Sequence, residues 1–264
     1  MTRYVCSDIH GQYSLFLKAL DRIGFSESDH MYIIGDVIDR GPDSMALLRD
    51  VMQRKNVTLL LGNHEYMMIQ YLRHHRDGRP WTHPANGGEI TLAGYSLLSD
   101  AEQREVRAFL EGLCLQIEIK AGGKTFLLSH SSFLADQGTV NWMDVPDASG
   151  VVWDSPWRTW EYIDPADYSL DGREHIIGHV PTILIPDEKW PEGIYPHMPS
   201  LYRDRAFRIT NIDCGCALIP RMKKKRFLLA PGADCGLALC MLDLDRYAAD
   251  EPDAIHYFPA EIWD

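Results

Sequence analysis

The sequence predicts an α/β fold on three observations. Apolar strands and amphipathic helices alternate through roughly the first 65 residues, the early strands end in Asp, His or Asn, and beyond residue 114 the hydrophobic period shifts from that of a helix to that of a strand. A chain of 264 residues can bury a substantial core. It shows no internal repeat, low-complexity tract or Pro/Gly/Ser-rich linker, so the expected organisation is one domain over 1–264 with a helical insertion at 66–112.

The first strand reads as "RYVCSDIHG", followed by a helix over "YSLFLKALDRIGF" and a second strand in "HMYIIGDVIDRGP". A helix over about 43–54 and the strand "NVTLLLGNHE" complete two strand-helix-strand units, which implies parallel strands joined by right-handed crossovers. Parallel neighbours carry their C-terminal ends to one sheet edge, where open α/β folds bind ligands. Residues 65–112 read as helices with one loop. The first starts near Glu65 and ends in "RHHRDG", with basic residues in its last turn and Gly78 at the cap, so the helix dipole accounts for His74 and His75. Met67, Met68, Tyr71 and Leu72 fall on one face of that helix and read as packing. Asn86, Gly87 and Gly88 form a tight turn that starts the next helix, and "SDAE" is a capping box made by Ser99 and Glu102. From Cys114, "CLQIEIKAGGKTFLLSHSSF" is a hairpin that delivers His130, and "EHIIGHVPT", "FRITNIDCGCAL" and "CGLALCMLDLD" supply later strands.

Composition narrows the function classes. A net charge of -12 excludes a sequence-independent grip on nucleic acid, and the short basic run at 221–226 reads as a solvated loop face. Six cysteines without a CxxC pair read as reduced thiols. No apolar stretch could span a bilayer and the first strand begins almost at Met1 with no signal-peptide pattern, so a cytoplasmic protein without a membrane partner is expected.

Taken alone, "GDVIDRG" is either an ordinary polar turn or the rim of a site, and a lone strand-end histidine is commonly a loop residue. Convergence changes that reading. Asp8, His10, Asp36, Asn63, His130 and His179 all lie at or just past apolar strands, and carboxylate, imidazole and amide oxygen together suit Mn, Fe or Zn better than Mg or Ca. Six ligands with one carboxylate shared are enough for two ions, an arrangement that activates water and clamps phosphoryl oxygens.

The motifs "DIHG", "GDVIDRG", "GNHE", "LLSHSSF" and "IIGHVPT", in this order from residue 3 to about 245, resemble those of metallophosphoesterases of the PPP phosphoprotein-phosphatase type. These belong to the calcineurin-like superfamily, and the likeness is to its bacterial and phage branch. The resemblance implies a β-sandwich of two mixed sheets flanked by helices, with a small helical cap. It implies that Asp8 and His10 bind a first metal, that Asp36 bridges to a second, and that Asn63, His130 and His179 complete the ligand set of the second metal. Arg40 would grip phosphate, and Asp39 would orient His64, held protonated as general acid for the leaving oxygen while a metal-bridging hydroxide attacks phosphorus. Relatives carry a second phosphate-gripping arginine after a Trp; in "VVWDSPWRTW" the candidate is Arg158, with Arg173 as fallback and a surface arginine packed on Trp157 as the alternative reading. Ser7 stands where a glycine is usual, which asks that position to avoid glycine-only backbone angles. Ser131 stands where a small residue is usual, and "APGADCG" reads as a surface loop.

The expected activity is hydrolysis of phosphoserine and phosphothreonine in proteins, extending to phosphotyrosine, with manganese as the first choice of metal. The alternative is hydrolysis of dinucleoside polyphosphates such as diadenosine tetraphosphate, which the aromatic segment 142–168 keeps in view as a base-stacking surface; its other reading is a satellite core under long loops. A third class, a catalytically silent phosphoprotein-binding module, has no use for His64 as an acid.

Overall fold

The computed structural model describes residues 1–74, 79–134, 136–155, 172–185, 201–218 and 237–260. Strict alternation along the strands builds it as layers. In β1 (Arg3–Cys6), β2 (His30–Ile33) and β10 (Ala238–Asp243), Tyr4, Cys6, Met31, Ile33, Leu239 and Met241 face one hydrophobic cluster, while Val5, Leu242 and Cys240 face another. The first cluster lies under the helices. α1 (Tyr13–Arg22) buries Leu15, Phe16, Ala19 and Leu20, and α2 (Ser44–Gln53) buries Leu47, Leu48 and Val51, each along one stripe at helical spacing. The second cluster lies between two sheets, where Val5, Ile34 and Leu60 meet Phe126, Leu128 and Ile176. Each such side chain withdrawn from water contributes about 1.5–3 kcal/mol, so the sandwich interface is a principal source of stability.

One sheet has the order β11-β10-β1-β2-β3, with β3 at Val57–Leu59 and β11 at Ile255–Pro259. β1, β2 and β3 run parallel as expected; β10 pairs antiparallel with β1. The other sheet has the order β6-β4-β5-β7-β9-β8, comprising β4 (Cys114–Ala121), β5 (Lys124–Ser129), β6 (Val140–Asn141), β7 (Glu174–Ile177), β8 (Tyr202–Asp204) and β9 (Ile209–Asn211). Both sheets are mixed. The β4–β5 turn is Gly122-Gly123 with φ of 52° and 78°, the left-handed pair that a two-residue hairpin requires.

The predicted helical stretch resolves into α3 (Asn63–His74), α4 (Arg79–Thr82), α5 (Gly88–Ser96) and α6 (Asp100–Glu111). Both halves of the Ser99–Glu102 capping box form, and Gly87 at φ 74° is the N-cap of α5. α3 begins at Asn63, two residues before the expected Glu65, so Asn63 and His64 occupy a helix's first turn rather than a strand end. Met67, Met68 and Leu72 pack inward as read, with Tyr71 against Trp81 at 5.2 Å between ring centroids. Two further helices, α7 (Ala148–Trp153) and α8 (Leu244–Ala248), and the strands β6, β8 and β11 were not anticipated. Cys6, Cys114, Cys214, Cys216 and Cys240 are free thiols, all but Cys114 buried. Gly78, His75, the basic run 221–226, "APGADCG" and Cys235 lie outside the described residues.

His175 of β7 is fully buried, with Nε2 2.7 Å from the Ser129 hydroxyl, and burial, reinforced by Arg173, pushes its pKa down to about 3. A depressed imidazole stabilises the fold above its unfolded pKa of about 6.5, and that contribution is lost as pH falls toward the folded value. Urea unfolding of the wild type and His175→Asn should therefore converge below about pH 6, by about 1.4 kcal/mol per pH unit. A constant difference between the two from pH 7 to 5 would refute this.

Candidate active site

The loops after β1, β2 and β7 are built from backbone that side chains disfavour. Eight described non-glycine residues have positive φ, and six of them are Asp8 (52°), His10 (47°), Asp36 (57°), Asp39 (70°), Arg40 (66°) and His179 (70°). All six had been selected from the sequence for chemistry. Such conformations cost about 1–3 kcal/mol each and persist where surrounding contacts over-determine them. Ser7 is not among them, as its replacement of a glycine requires.

The principal restraint is Glu65, wholly buried in the first turn of α3. Its Oε2 accepts the amides of Asp36 (2.8 Å) and Gly62 (3.1 Å), and its Oε1 those of Val37 (2.9 Å) and Ile38 (3.4 Å). Main-chain bonds from His10 to Asp36 O (2.9 Å) and from Gly11 to Val37 O (2.8 Å) tie the β1 loop to the same backbone. In the sequence Glu65 closes "GNHE", and the signal for its role is an acid at a helix start beside two glycine-containing loops.

On this frame the side chains converge. Asp36 Oδ2 stands 3.5 Å from His10 Nε2 and 3.8 Å from His64 Nε2, while its Oδ1 stands 3.5 Å from His130 Nε2 and accepts the His64 amide at 3.0 Å. Asn63 Oδ1 lies 2.9 Å from His130 Nε2 and 3.0 Å from His179 Nδ1, and Asp8 Oδ2 accepts the His179 amide at 3.0 Å. His10 and His130 donate Nδ1–H to the carbonyls of Ile38 and Ile34, each at 2.8 Å, which leaves both Nε2 lone pairs facing the cluster. Asp8, Asp36 and His130 form one group with ligand-capable atoms within 4.8 Å of one another, and His10, Asp36 and His64 form another.

The electrostatics of the cluster fit a bound cation. Burial pushes the Asp36 carboxyl well above the usual range, and the negative charges of Glu65 and Asp8 push it further, with Arg40 opposing. Several buried acids facing imidazole lone pairs form a donor set that a divalent ion satisfies and protons satisfy poorly. Asp213, also buried and pushed up by burial and by Asp8, adds to this excess. It was missed, although it follows β9 in "NIDCGC" in the same strand-then-acid pattern.

His64 and Asp39 form a dyad, with Nδ1 2.6 Å from Asp39 Oδ2. Burial, followed by the nearby Arg40 guanidinium, pushes His64 well below its ordinary pKa, while burial raises Asp39 to about 7 against the hydrogen bonds of Thr91 and Trp81. A guanidinium can only donate and a carboxylate only accept, so Arg40 Nη2 donates to His64 Nε2 at 3.0 Å while Nδ1 carries its proton toward Asp39. Arg40 Nη1 donates to His10 Nε2 at 2.6 Å.

Arg158 lies outside the described residues. Arg173 does not join the cluster: it sits beside the start of β7, bonded to Glu118 Oε2 at 3.1 Å, whereas His179 follows the other end of that strand. It lines a depression of about 600 Å³ with Lys124, Arg203, Arg205 and Arg208, where Glu174 pairs with Lys124 and Asp250 with Arg203. Of the aromatic segment, Trp142 is core, with Arg73 over its ring at 4.8 Å, while Trp153 is 38 % exposed and meets His179 edge-on at 5.9 Å. The Ser131 hydroxyl donates to Asp154 O.

Glu65→Gln puts an amide NH₂ against backbone N–H donors. It should lower stability by about 1–3 kcal/mol and weaken manganese binding by about 10–100-fold, measured by urea unfolding and calorimetric titration. Unchanged values in both would show that Glu65 does not restrain the loops.

The sequence profile of the family described as "Calcineurin-like phosphoesterase" matches residues 1–213. A stretch of 71 residues is 39 % identical to the symmetrical bis(5'-nucleosyl)-tetraphosphatase of Nitrosomonas europaea, covering 26 % of each chain. The chain is 27 % identical to serine/threonine-protein phosphatase 1 of Salmonella typhimurium over 180 residues, 67 % of this chain and 78 % of the relative. The alignments to the tetraphosphatases thus span about a quarter of their length. Two solved structures share the fold at a TM-score of 0.56: a candidate diadenosine tetraphosphatase (16 % identity, covering 99 % of this chain and 95 % of that one) and a serine/threonine phosphatase from Saccharomyces cerevisiae with similarity to human phosphatase PP5 (14 % identity, covering 100 % and 81 %). With two mixed sheets, a buried carboxylate-imidazole cluster and a profile match over most of its length, the chain belongs to the calcineurin-like metallophosphoesterases, which are hydrolases.

Proposed function

We propose that the chain is a phosphatase using two divalent ions, manganese first, with Fe or Zn as alternatives. Asp8 and His10 would hold one, Asn63, His130 and His179 the other, and Asp36 both. The observation that carries this is Asp36 itself, whose two oxygens face different imidazoles at 3.5 Å and which belongs to both ligand-capable groups. When bound, such ions supply Lewis acidity toward phosphoryl oxygens and acidify water.

The residues then divide the work. Arg40 presents a planar fork to phosphate, and its buried Nε has no hydrogen-bond partner among the described residues, so a donor is in reserve. His64 delivers a proton from Nε2 to the leaving oxygen. Turning Arg40 toward phosphate frees the His64 Nε2 lone pair on which it now donates, so that this nitrogen can carry the proton it must give. Asp39 keeps Nδ1 protonated and fixed. α3–α6, over 66–112, form the cap beside these groups, and Arg158 remains the proposed second phosphate-gripping arginine.

For substrate we infer phosphoserine and phosphothreonine in proteins, with phosphotyrosine as an extension, supported by the similarity to serine/threonine-protein phosphatase 1 over two thirds of the chain. The second reading, a dinucleoside tetraphosphatase, draws support from the higher identity of the 71-residue match and from exposed Trp153 beside His179, a surface on which a base could stack. A silent binding module leaves the His64–Asp39 contact without a purpose. No described helix is long and apolar enough to cross a membrane.

Phosphate release by metal-stripped, manganese-reloaded enzyme on a phosphothreonine peptide and on diadenosine tetraphosphate tests this. Chelation should abolish turnover, manganese should restore it, and Asp36→Asn should lower it about a thousandfold. Faster turnover of the peptide supports the phosphatase reading and faster turnover of the dinucleotide the second one. Metal-independent activity would sink both.

A further inference from the structure

The segment between α3 and α6 contains none of the residues selected for chemistry, yet it grips the dyad. Trp81 of α4, 1 % exposed, donates its indole N–H to Asp39 Oδ2 at 2.8 Å. Thr91 of α5, fully buried, donates its hydroxyl to Asp39 Oδ1 at 2.5 Å and accepts the Asp39 amide at 3.0 Å. Between them, Gly87 O accepts the Arg40 amide at 3.3 Å, and a Cβ on Gly87 would stand 2.9 Å from Arg40 Cα and N. Residues 81–91 thus touch both members of the Asp39-Arg40 pair, whose left-handed backbone is among the strained positions.

The chemistry of these contacts is selective. An indole N–H only donates, and the Thr91 hydroxyl spends its one hydrogen on Oδ1, so both hydrogen bonds suit Asp39 as an anion. With His64 on Oδ2, the carboxylate has donors on both oxygens and a fixed rotamer. Packing alone explains little of this, since Phe and Val would fill the same space.

We propose that Trp81 and Thr91 are positioning residues for His64, acting through Asp39: they hold the carboxylate so that the imidazole keeps its proton on Nδ1 and aims Nε2 at the leaving oxygen. This rests on His64 as the proton donor of the reaction. The segment is then part of the machinery that protonates the leaving group, and not only a cover beside the metals.

Leaving-group dependence tests it, because a good leaving group needs no proton. Trp81→Phe and Thr91→Val, manganese-loaded, should lose about tenfold in kcat on phenyl phosphate, with little change in KM, and much less on p-nitrophenyl phosphate. The ratio of the two rates should therefore rise about tenfold, and Thr91→Ser, which keeps the hydroxyl, should retain the wild-type ratio. In the metal-free protein the downfield proton resonance of the His64–Asp39 hydrogen bond should move in Trp81→Phe and in Thr91→Val alike. A wild-type ratio in both variants, whatever their absolute activity, or an unmoved resonance overturns the proposal. Asp39→Asn run alongside separates the two levels: if it also leaves the ratio unchanged, the dyad is not the acid and the underlying reading fails; if it raises the ratio while both cap variants do not, only the positioning role fails.

Discussion

Four backbone amides closing on one buried carboxylate hold this site together. Glu65 lies on α3, and the amides it accepts belong to the turn after β2 and to Gly62 just before the helix. One side chain therefore fixes the strained Asp36 loop relative to the helix that carries Asn63 and His64. Burial pushes the Glu65 carboxyl up, and its hydrogen bonds with the loop push it down, so the loop and the charge of Glu65 stabilise each other. The strain at Asp36 is tolerable because these bonds require the backbone to curl that way, while at Asp39 and Arg40 the amides are held by Thr91 Oγ1 and Gly87 O.

Much of this was legible in the sequence, for a physical reason. Parallel strands have both faces buried, so they read as apolar runs, and the first polar residue after each run marks the sheet edge where ligands bind. Asp8, His10, Asp36, His130 and His179 were all found by that rule. Asn63 was found by its motif but placed on a strand end, because "NVTLLLGN" is apolar past the point where β3 stops at Leu59; Leu60 leaves the strand and bridges to Cys114. The two-residue β6 and the three-residue β8 offer too few residues for a period to register. Asp213 obeyed the rule and was passed over, while Glu65, Trp81 and Thr91 escaped because their roles are contacts between segments, which no local pattern encodes.

The cluster concentrates negative charge where water is scarce. Asp8, Asp36, Asp39, Glu65 and Asp213 are all less than 5 % exposed, and the Arg40 guanidinium opposes the rise at Asp36, Asp39 and Asp213. An uncompensated group of this kind is costly in a folded interior. The fold gives Glu65 and Asp39 neutral hydrogen-bond donors, but toward Asp36 it turns the imidazole lone pairs of His10 and His130, which add no positive charge. Donors of that kind leave the charge deficit to be met by an ion, which is why the same geometry that would be a liability in a core is coherent as a metallophosphoesterase centre.

Arg40 connects these levels. Its two terminal nitrogens donate to His10 Nε2 and His64 Nε2, the atoms that on the proposed reading ligate a cation and protonate the leaving oxygen. Each lone pair serves one acceptor role at a time, so a cation on His10 and the guanidinium on His10 are alternatives. Binding events that exclude each other are linked with a definite sign: whatever favours Arg40 on phosphate favours the cation on His10, and the reverse holds with the same factor. Substrate phosphate and metal would thus strengthen one another's binding through a single side chain. On the proposed reading, the residue that occupies these lone pairs here would be the one that grips substrate, and the left-handed backbone at Asp39 and Arg40, bonded to Gly87 O through the Arg40 amide, fixes where the guanidinium starts from.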